Sequence, residues 1–386
     1  MTLLSLFTVA LVLAQDTARP PEITPEITRL ADSIAAAEFA RDSLGSITVA
    51  IVSGPSLAWT RSYGFADRAR SRPASAATVY RVASITKQVT AVMLLQLVDA
   101  GTVRLDDPAD RWFAAAGQLV DANGRRHSPT LVQLATMTSG LVRDPDDQRR
   151  SQTGDPREWE AALEHGLAHT TFAAPPGTAY QYSNIGYGVL GAALARAAGE
   201  PYLSYVERRI LGPLGMRSSG FVLTPALEQA LAVGVDWDEL YRDTLNYEDA
   251  ATDHRSGVGF RVPGGGLYST VGDLARLVAL EIGHGPAGVL GPEALALRQR
   301  VPVASSSTLD YGYGLGIQVY RWGDTTAVGH SGNLAGYTAQ VLYDPALKFG
   351  VIVLRSAAGG EASAGRLAGR MFRMVRRRTG PPGPGN

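Results

Sequence analysis

Strand signals lie at the two ends of this 386-residue chain and are nearly missing from its middle. This distribution constrains the fold more than any other feature. Apolar runs at 47–52 and 57–63, joined by Ser53-Gly54-Pro55-Ser56, predict an N-terminal hairpin. Runs at 314–321, 326–329, 337–343 and 349–355 predict strands near the C-terminus. Between them, about 105–250, periodic segments at 131–137, 158–169, 185–198 and 202–210 predict helices. No strand–helix–strand rhythm points to a parallel sheet, so strands from the two ends are expected to pair antiparallel. The expected class is α+β: an antiparallel sheet flanked by helices, plus a mostly helical subdomain. One unit is expected over 15–378, with its sheet part at about 27–75 and 255–378 and its helical insert at about 76–254.

Helices are also expected at 27–43, 85–99 and 361–377. The last is amphipathic, with Leu367, Met371 and Met374 on one face and Arg366, Arg370, Arg373 and Arg377 on the other. Thr270-Val271-Gly272-Asp273 resembles a capping box and starts a further helix. Residues 3–14 are almost wholly apolar but too few to span a bilayer. They predict an export signal over 1–14, a product in the periplasm or outside the cell, and no stable membrane span once the signal is removed. The tail 379–386 is rich in Pro and Gly and predicts disorder. With no cysteine, disulfides and thiolate chemistry are excluded. A net charge of zero gives no field that attracts nucleic acid. Oligomeric state leaves no mark in the sequence.

Only two of the 36 basic residues are lysines, Lys87 and Lys348. Lys87 closes Ser84-Ile85-Thr86-Lys87, a spacing that puts a nucleophile and a base one helical turn apart. Arginine stays protonated, whereas a desolvated lysine can lose its proton. Chance alone gives this spacing in about one such chain in eight. Tyr182-Ser183-Asn184, expected by chance only about 0.01 times, is far more informative. His330-Ser331-Gly332 follows at the end of a short predicted strand.

These motifs, in this order, resemble those of the serine β-lactamase and penicillin-binding-protein superfamily. The tyrosine-type second motif points to class C β-lactamases, DD-peptidases, D-aminopeptidases and related esterases. Leu134-Ala135-Thr136-Met137-Thr138-Ser139-Gly140-Leu141 is similar to a familial segment, with Met137 where histidine is usual, as is Gly266-Leu267-Tyr268-Ser269-Thr270. The resemblance implies a β-lactamase/transpeptidase-like fold and an acyl-enzyme at Ser84, with Lys87 as base and Tyr182 sharing or relaying the proton. It implies that Asn184 holds the substrate amide or the Lys87 amine. The backbone N–H groups of Ser84 and Asn333 would form the oxyanion hole, with His330 and Gly332 lining the substrate site. No cofactor or metal is implied. Relatives with Lys-Thr-Gly have a fixed cation where this chain has His330. A partly charged His330 would favour anionic substrates as the pH drops toward about 6. Substrates remain open among small esters, D-amino-acid peptides and β-lactams, with peptidase or esterase favoured over a dedicated β-lactamase. A non-catalytic sensor or scaffold is the reading from a different class.

Other features read as structural. His165 and His169 lack an acidic partner at motif spacing, and 144–151 reads as a charged surface loop. Gly264-Gly265-Gly266 reads as a turn, and the C-terminal arginines as a solvated face. Gly-x-Ser-x-Gly does not occur.

Overall fold

The β-branched run of β1 (Ser46–Ser53) is buried on both faces, which requires material on either side of it. In this computed structural model, which describes residues 19–380 except 68, 148–153, 238–244, 247–257, 300–302 and 305–309, that material comes from both ends of the chain. The expected leader lies outside the described residues, as do 381–386 of the tail and 148–151 of the charged loop.

Among the described residues, eight strands form one antiparallel sheet. After β1 they are β2 (Ser56–Gly64), β3 (Val303–Ala304), β4 (Tyr311–Tyr313), β5 (Gln318–Trp322), β6 (Thr325–Leu334), β7 (Tyr337–Asp344) and β8 (Phe349–Arg355). Their spatial order is β2-β1-β8-β7-β6-β5-β4-β3. The two ends of the chain meet at β1–β8, with Val49 opposite Val353. The expected joining of N- and C-terminal strands is therefore observed.

Period-two alternation divides each central strand between two cores. Ile47, Val49, Ile51, Val351 and Val353 face a cluster closed by α1 (Pro25–Phe39) and the C-terminal helix (Ala364–Thr379). Leu367, Met371 and Val375 recur every four residues on that last helix and are fully buried. Ala50, Val52, Ile352 and Leu354 face the larger core. There α2 (Thr86–Asp99), apolar on nearly all sides, is buried and packs against a second apolar helix, Asn184–Ala198.

Several expectations need correction. Helix α1 begins at Pro25 behind the cap Thr24 and ends at Phe39 rather than 43. The expected helix 131–137 stops at Ala135, because Met137 adopts a left-handed φ of 60°. The expected helix 202–210 changes to π-helical winding over Glu207–Leu211. Strand β6 does not end at 329 but runs through His330 to Leu334. Strands β3 and β4 had no expected counterpart; Tyr311-Gly312-Tyr313 is too short to give a periodic signal. The C-terminal arginines are not simply solvated: Arg366 pairs with the buried Glu38, and Arg373 lies over Trp322.

Candidate active site

Ser84 sits in a 3-10 turn, Ala83–Ile85, that leads into α2. Ala83 has a φ of 47°, a left-handed conformation that costs a residue with a Cβ about 1–2 kcal/mol. The surroundings hold it there. Thr86 Oγ1 donates to Ala83 O at 2.6 Å and accepts from Leu267 N at 3.1 Å, while Val82 N donates to Leu267 O. From the other side β6 crosses so closely that a Cβ on Gly332 would fall 2.3 Å from Val82 O. This is why the third motif ends in glycine. Ser84 is half-buried, at the positive end of the helix that follows.

One turn on, Lys87 is fully buried. Its Nζ lies 2.7 Å from Gly264 O, 3.0 Å from Asn184 Oδ1 and 3.2 Å from Ser84 Oγ. A neutral amine has two N–H groups and one lone pair. The two carbonyl oxygens can only accept, so the lone pair is left for the serine hydroxyl. Burial drives the Lys87 pKa well below its ordinary value; Arg261 and Arg143 add to this and Asp144 opposes it. The Tyr182 and Tyr187 rings flank the amine, with centroids 5.0 and 5.2 Å from Nζ.

The hydroxyl of Tyr182 donates to Ser84 Oγ at 2.9 Å. Burial raises the Tyr182 pKa, so the phenol is protonated at rest. Ser84 Oγ thus has an acceptor on one side and a donor on the other. The 134–141 segment positions this tyrosine. Met137 O accepts from Gln181 N at 2.7 Å, and Met137 Sδ from Ser183 N at 3.3 Å. Ser183 then caps α3, Asn184–Ala198, by accepting from Gly186 N.

Asn184 is clamped at both ends of its amide. Oδ1 faces Lys87, and Nδ2 donates to Asp144 Oδ1 at 3.0 Å. The Oδ1 contact is the one expected of a residue that holds the Lys87 amine. Asp144 is also gripped by Arg261 at 2.9 Å. Asp144, Arg261 and the carbonyl of Gly264 are site components that the sequence reading missed. Asp144 was expected on a surface loop, yet its side chain is only 9% exposed. Gly264 was expected in a simple turn, yet it lies in a helical turn, Val262–Gly265, against Lys87. No local signal marks either one, because their partners lie far away in sequence.

His330 departs most from expectation. Its ring is fully buried, with Nδ1 2.6 Å from Ser331 O and Nε2 2.8 Å from Tyr313 Oη. Burial, with Lys87 acting in the same direction, pushes its pKa down to about 3. The imidazole is therefore neutral: Nδ1–H donates to the carbonyl and Nε2 accepts from the tyrosine. The expected partly charged imidazolium, receiving a substrate carboxylate near pH 6, is overturned. His330 packs instead behind Tyr182, with ring centroids 6.4 Å apart. Asn333, one residue beyond Gly332, is exposed. Half-buried Tyr180 and Tyr311, at 6.4 Å from each other, form an aromatic wall beside Tyr313.

A neutral buried histidine makes stability pH-dependent. The folded pKa lies below the unfolded value of about 6.5, so the stabilisation is complete above that pH and is lost as the pH falls toward 3. At pH 5 the loss should be about 2 kcal/mol. Urea unfolding at pH 7.5 and pH 5 measures it. His330→Gln, which cannot titrate, should lose about 2 kcal/mol less than the wild type across that interval. An equal loss in both would mean that the His330 pKa is not depressed in the folded state.

His165 and His169, expected to lack an acidic partner, are joined by Asp147, and His165 Nε2 is 3.1 Å from Asp147 Oδ2.

The family model described as Beta-lactamase matches residues 31–373. The chain is 30% identical over 347 residues to Esterase EstB of Burkholderia gladioli, covering 82% of this chain and 87% of that protein. It is 27% identical over 351 residues to Putative beta-lactamase-like 1 of Homo sapiens, covering 87% of this chain and 66% of that one. It is 33% identical over 222 residues to the D-alanyl-D-alanine-carboxypeptidase/endopeptidase AmpH of Escherichia coli (strain K12), covering 56% and 52%. The chain thus spans about half to two thirds of the length of the human and Escherichia coli relatives. The octameric penicillin-binding protein homologue from Pyrococcus abyssi superposes with a TM-score of 0.75 at 23% identity, covering 91% of this chain and 79% of that one, and so shares the fold.

Proposed function

The chain belongs to the beta-lactamase family, and from that premise we propose that it is a serine hydrolase cleaving ester or amide bonds through an acyl-enzyme at Ser84. The observation that carries this reading is Ser84 Oγ held between Lys87 Nζ at 3.2 Å and the Tyr182 hydroxyl at 2.9 Å. Neutral Lys87 takes the Ser84 proton as Oγ attacks the scissile carbonyl carbon. The oxyanion is received by the backbone N–H groups of Ser84 and Asn333, each worth about 10²–10³ in rate. As the tetrahedral intermediate collapses, Tyr182 gives its proton to the leaving alcohol or amine and is reprotonated from Lys87. Water then cleaves the Ser84 ester by the same steps in reverse order. Asn184 keeps the Lys87 amine aimed at Oγ. His330 supports Tyr182 from behind, and Gly332 keeps β6 against the Ser84 turn.

Neutral His330 leaves no cation at the third motif. That favours an esterase or peptidase over a dedicated β-lactamase, because the carboxylate of a β-lactam has no fixed partner there. The Tyr180–Tyr311 wall suits an apolar group of the substrate. Residues 1–14 are proposed to direct export; among the described residues no helix is long and apolar enough to cross a membrane.

Wild-type protein should be assayed on short p-nitrophenyl esters, D-Ala-D-Ala peptides and a chromogenic cephalosporin. Turnover of an ester or peptide well above that of the cephalosporin is expected. Stoichiometric acylation without release would favour a sensor, and preferential cephalosporin turnover a β-lactamase.

A further inference from the structure

The third motif supplies no cation, yet one lies over the ring of Tyr182 at the second motif. Arg143 follows the 134–141 segment, and its carbonyl accepts from Asn184 N at 2.8 Å and Ile185 N at 3.4 Å. Its backbone is thereby fixed to the start of α3. Its guanidinium carbon lies 4.8 Å from the centroid of the Tyr182 ring, the ring whose hydroxyl touches Ser84 Oγ. A guanidinium lying over a ring keeps its in-plane N–H groups free to bind an acceptor.

The local charges do not cancel. Two guanidiniums, Arg143 and Arg261, face one carboxylate, Asp144. Asp144 is held closely by Arg261 at 2.9 Å and only loosely by Arg143 Nε at 3.7 Å. The Arg143 side chain is 65% exposed, against 21% for Arg261 and 9% for Asp144. Protonated Tyr182 and neutral His330 add no charge, and Lys87, whose pKa burial drives down, adds no negative charge. The excess positive charge therefore sits on Arg143, at the solvent side of the second motif.

We propose that Arg143 is an anion-binding residue of the substrate site, so that preferred substrates are esters or amides whose acyl part carries a carboxylate a few carbons from the scissile carbonyl. This rests on the serine-hydrolase reading and names its substrate class. The anion is placed at the second motif and not at the third, where His330 is sealed in. Guanidinium–carboxylate pairing through two parallel N–H bonds supplies the discrimination. Because Arg143 is exposed, the preference should weaken as ionic strength rises.

The probes are mono-p-nitrophenyl glutarate and p-nitrophenyl butyrate, an anionic and a neutral ester of comparable reach. The readout is the ratio of their kcat/KM values in wild type, Arg143→Gln and Arg143→Lys. The anionic-to-neutral ratio should fall about tenfold in Arg143→Gln and less in Arg143→Lys. If Arg143 only braces the Tyr182 ring, both esters would slow together and the ratio would hold, which overturns the proposal. If neither ester is turned over, the hydrolase reading fails by itself. Glutarate hemiester binding to Ser84→Ala, with and without Arg143→Gln, then decides. Binding weakened about tenfold by the second change supports Arg143; equal or absent binding overturns it.

Discussion

Ser84→Ala should lower kcat/KM toward the best ester substrate by about 10⁴–10⁶, with the fold intact. Ser84 contributes little to stability: it is half-buried, and among the described residues its hydroxyl bonds only to Lys87 and Tyr182. Both partners keep other interactions after the change. Lys87 retains Asn184 and Gly264, and Tyr182 retains its packing against His330 and Tyr313. The circular dichroism spectrum and Tm should therefore match the wild type. A Ser84→Ala protein that still hydrolyses the ester within tenfold of wild type would move the nucleophile elsewhere.

Lys87→Arg is expected to have the second largest effect, lowering kcat/KM by about 10²–10⁴. Arginine puts a permanent cation at this position and cannot give up its proton, so it cannot serve as the base. The effect has a signature in pH. Wild-type activity requires the neutral amine, so kcat/KM should fall as the pH drops through the folded pKa of Lys87. Burial places that pKa well below the ordinary lysine value of 10.5. The acid limb should vanish from the residual activity of the arginine variant. Because a buried guanidinium can itself disturb folding, Lys87→Met provides a second test. It is close in size and has no base, but leaves Asn184 Oδ1 and Gly264 O without their donor, at about 1–3 kcal/mol each. A folded Lys87→Met protein with near-wild-type turnover would assign the base to another group.

The parts of this site that were legible in the sequence are those with short-range logic. Ser84 and Lys87 are one helical turn apart, so their spacing already encodes their contact. Tyr182-Ser183-Asn184 enters a helix, and Ser183 caps it as a serine at such a position should. The strand runs at the two ends carried enough apolar periodicity to show that they share a sheet. What stayed hidden depends on tertiary environment. The charge of His330 is decided by complete burial, with Lys87 acting in the same direction, neither of which a tripeptide encodes. Asp144 looked like one charge in a polar loop, because its amide partner lies 40 residues away. Met137 looked like a substituted histidine. Its left-handed backbone and its sulfur, which accepts from Ser183, show it bracing the tyrosine segment. Arg143 resembled the chain's many other arginines until its guanidinium was seen over the Tyr182 ring.

The central claim is that Ser84 becomes covalently acylated while the rest of the machinery is in place. Intact-protein mass spectrometry after treatment with a fluorophosphonate, which reacts only with an activated serine, tests it most directly. One adduct per chain is expected, mapping to the peptide that contains Ser84 and lost in Ser84→Ala. No adduct, or one that persists in Ser84→Ala, would contradict the account.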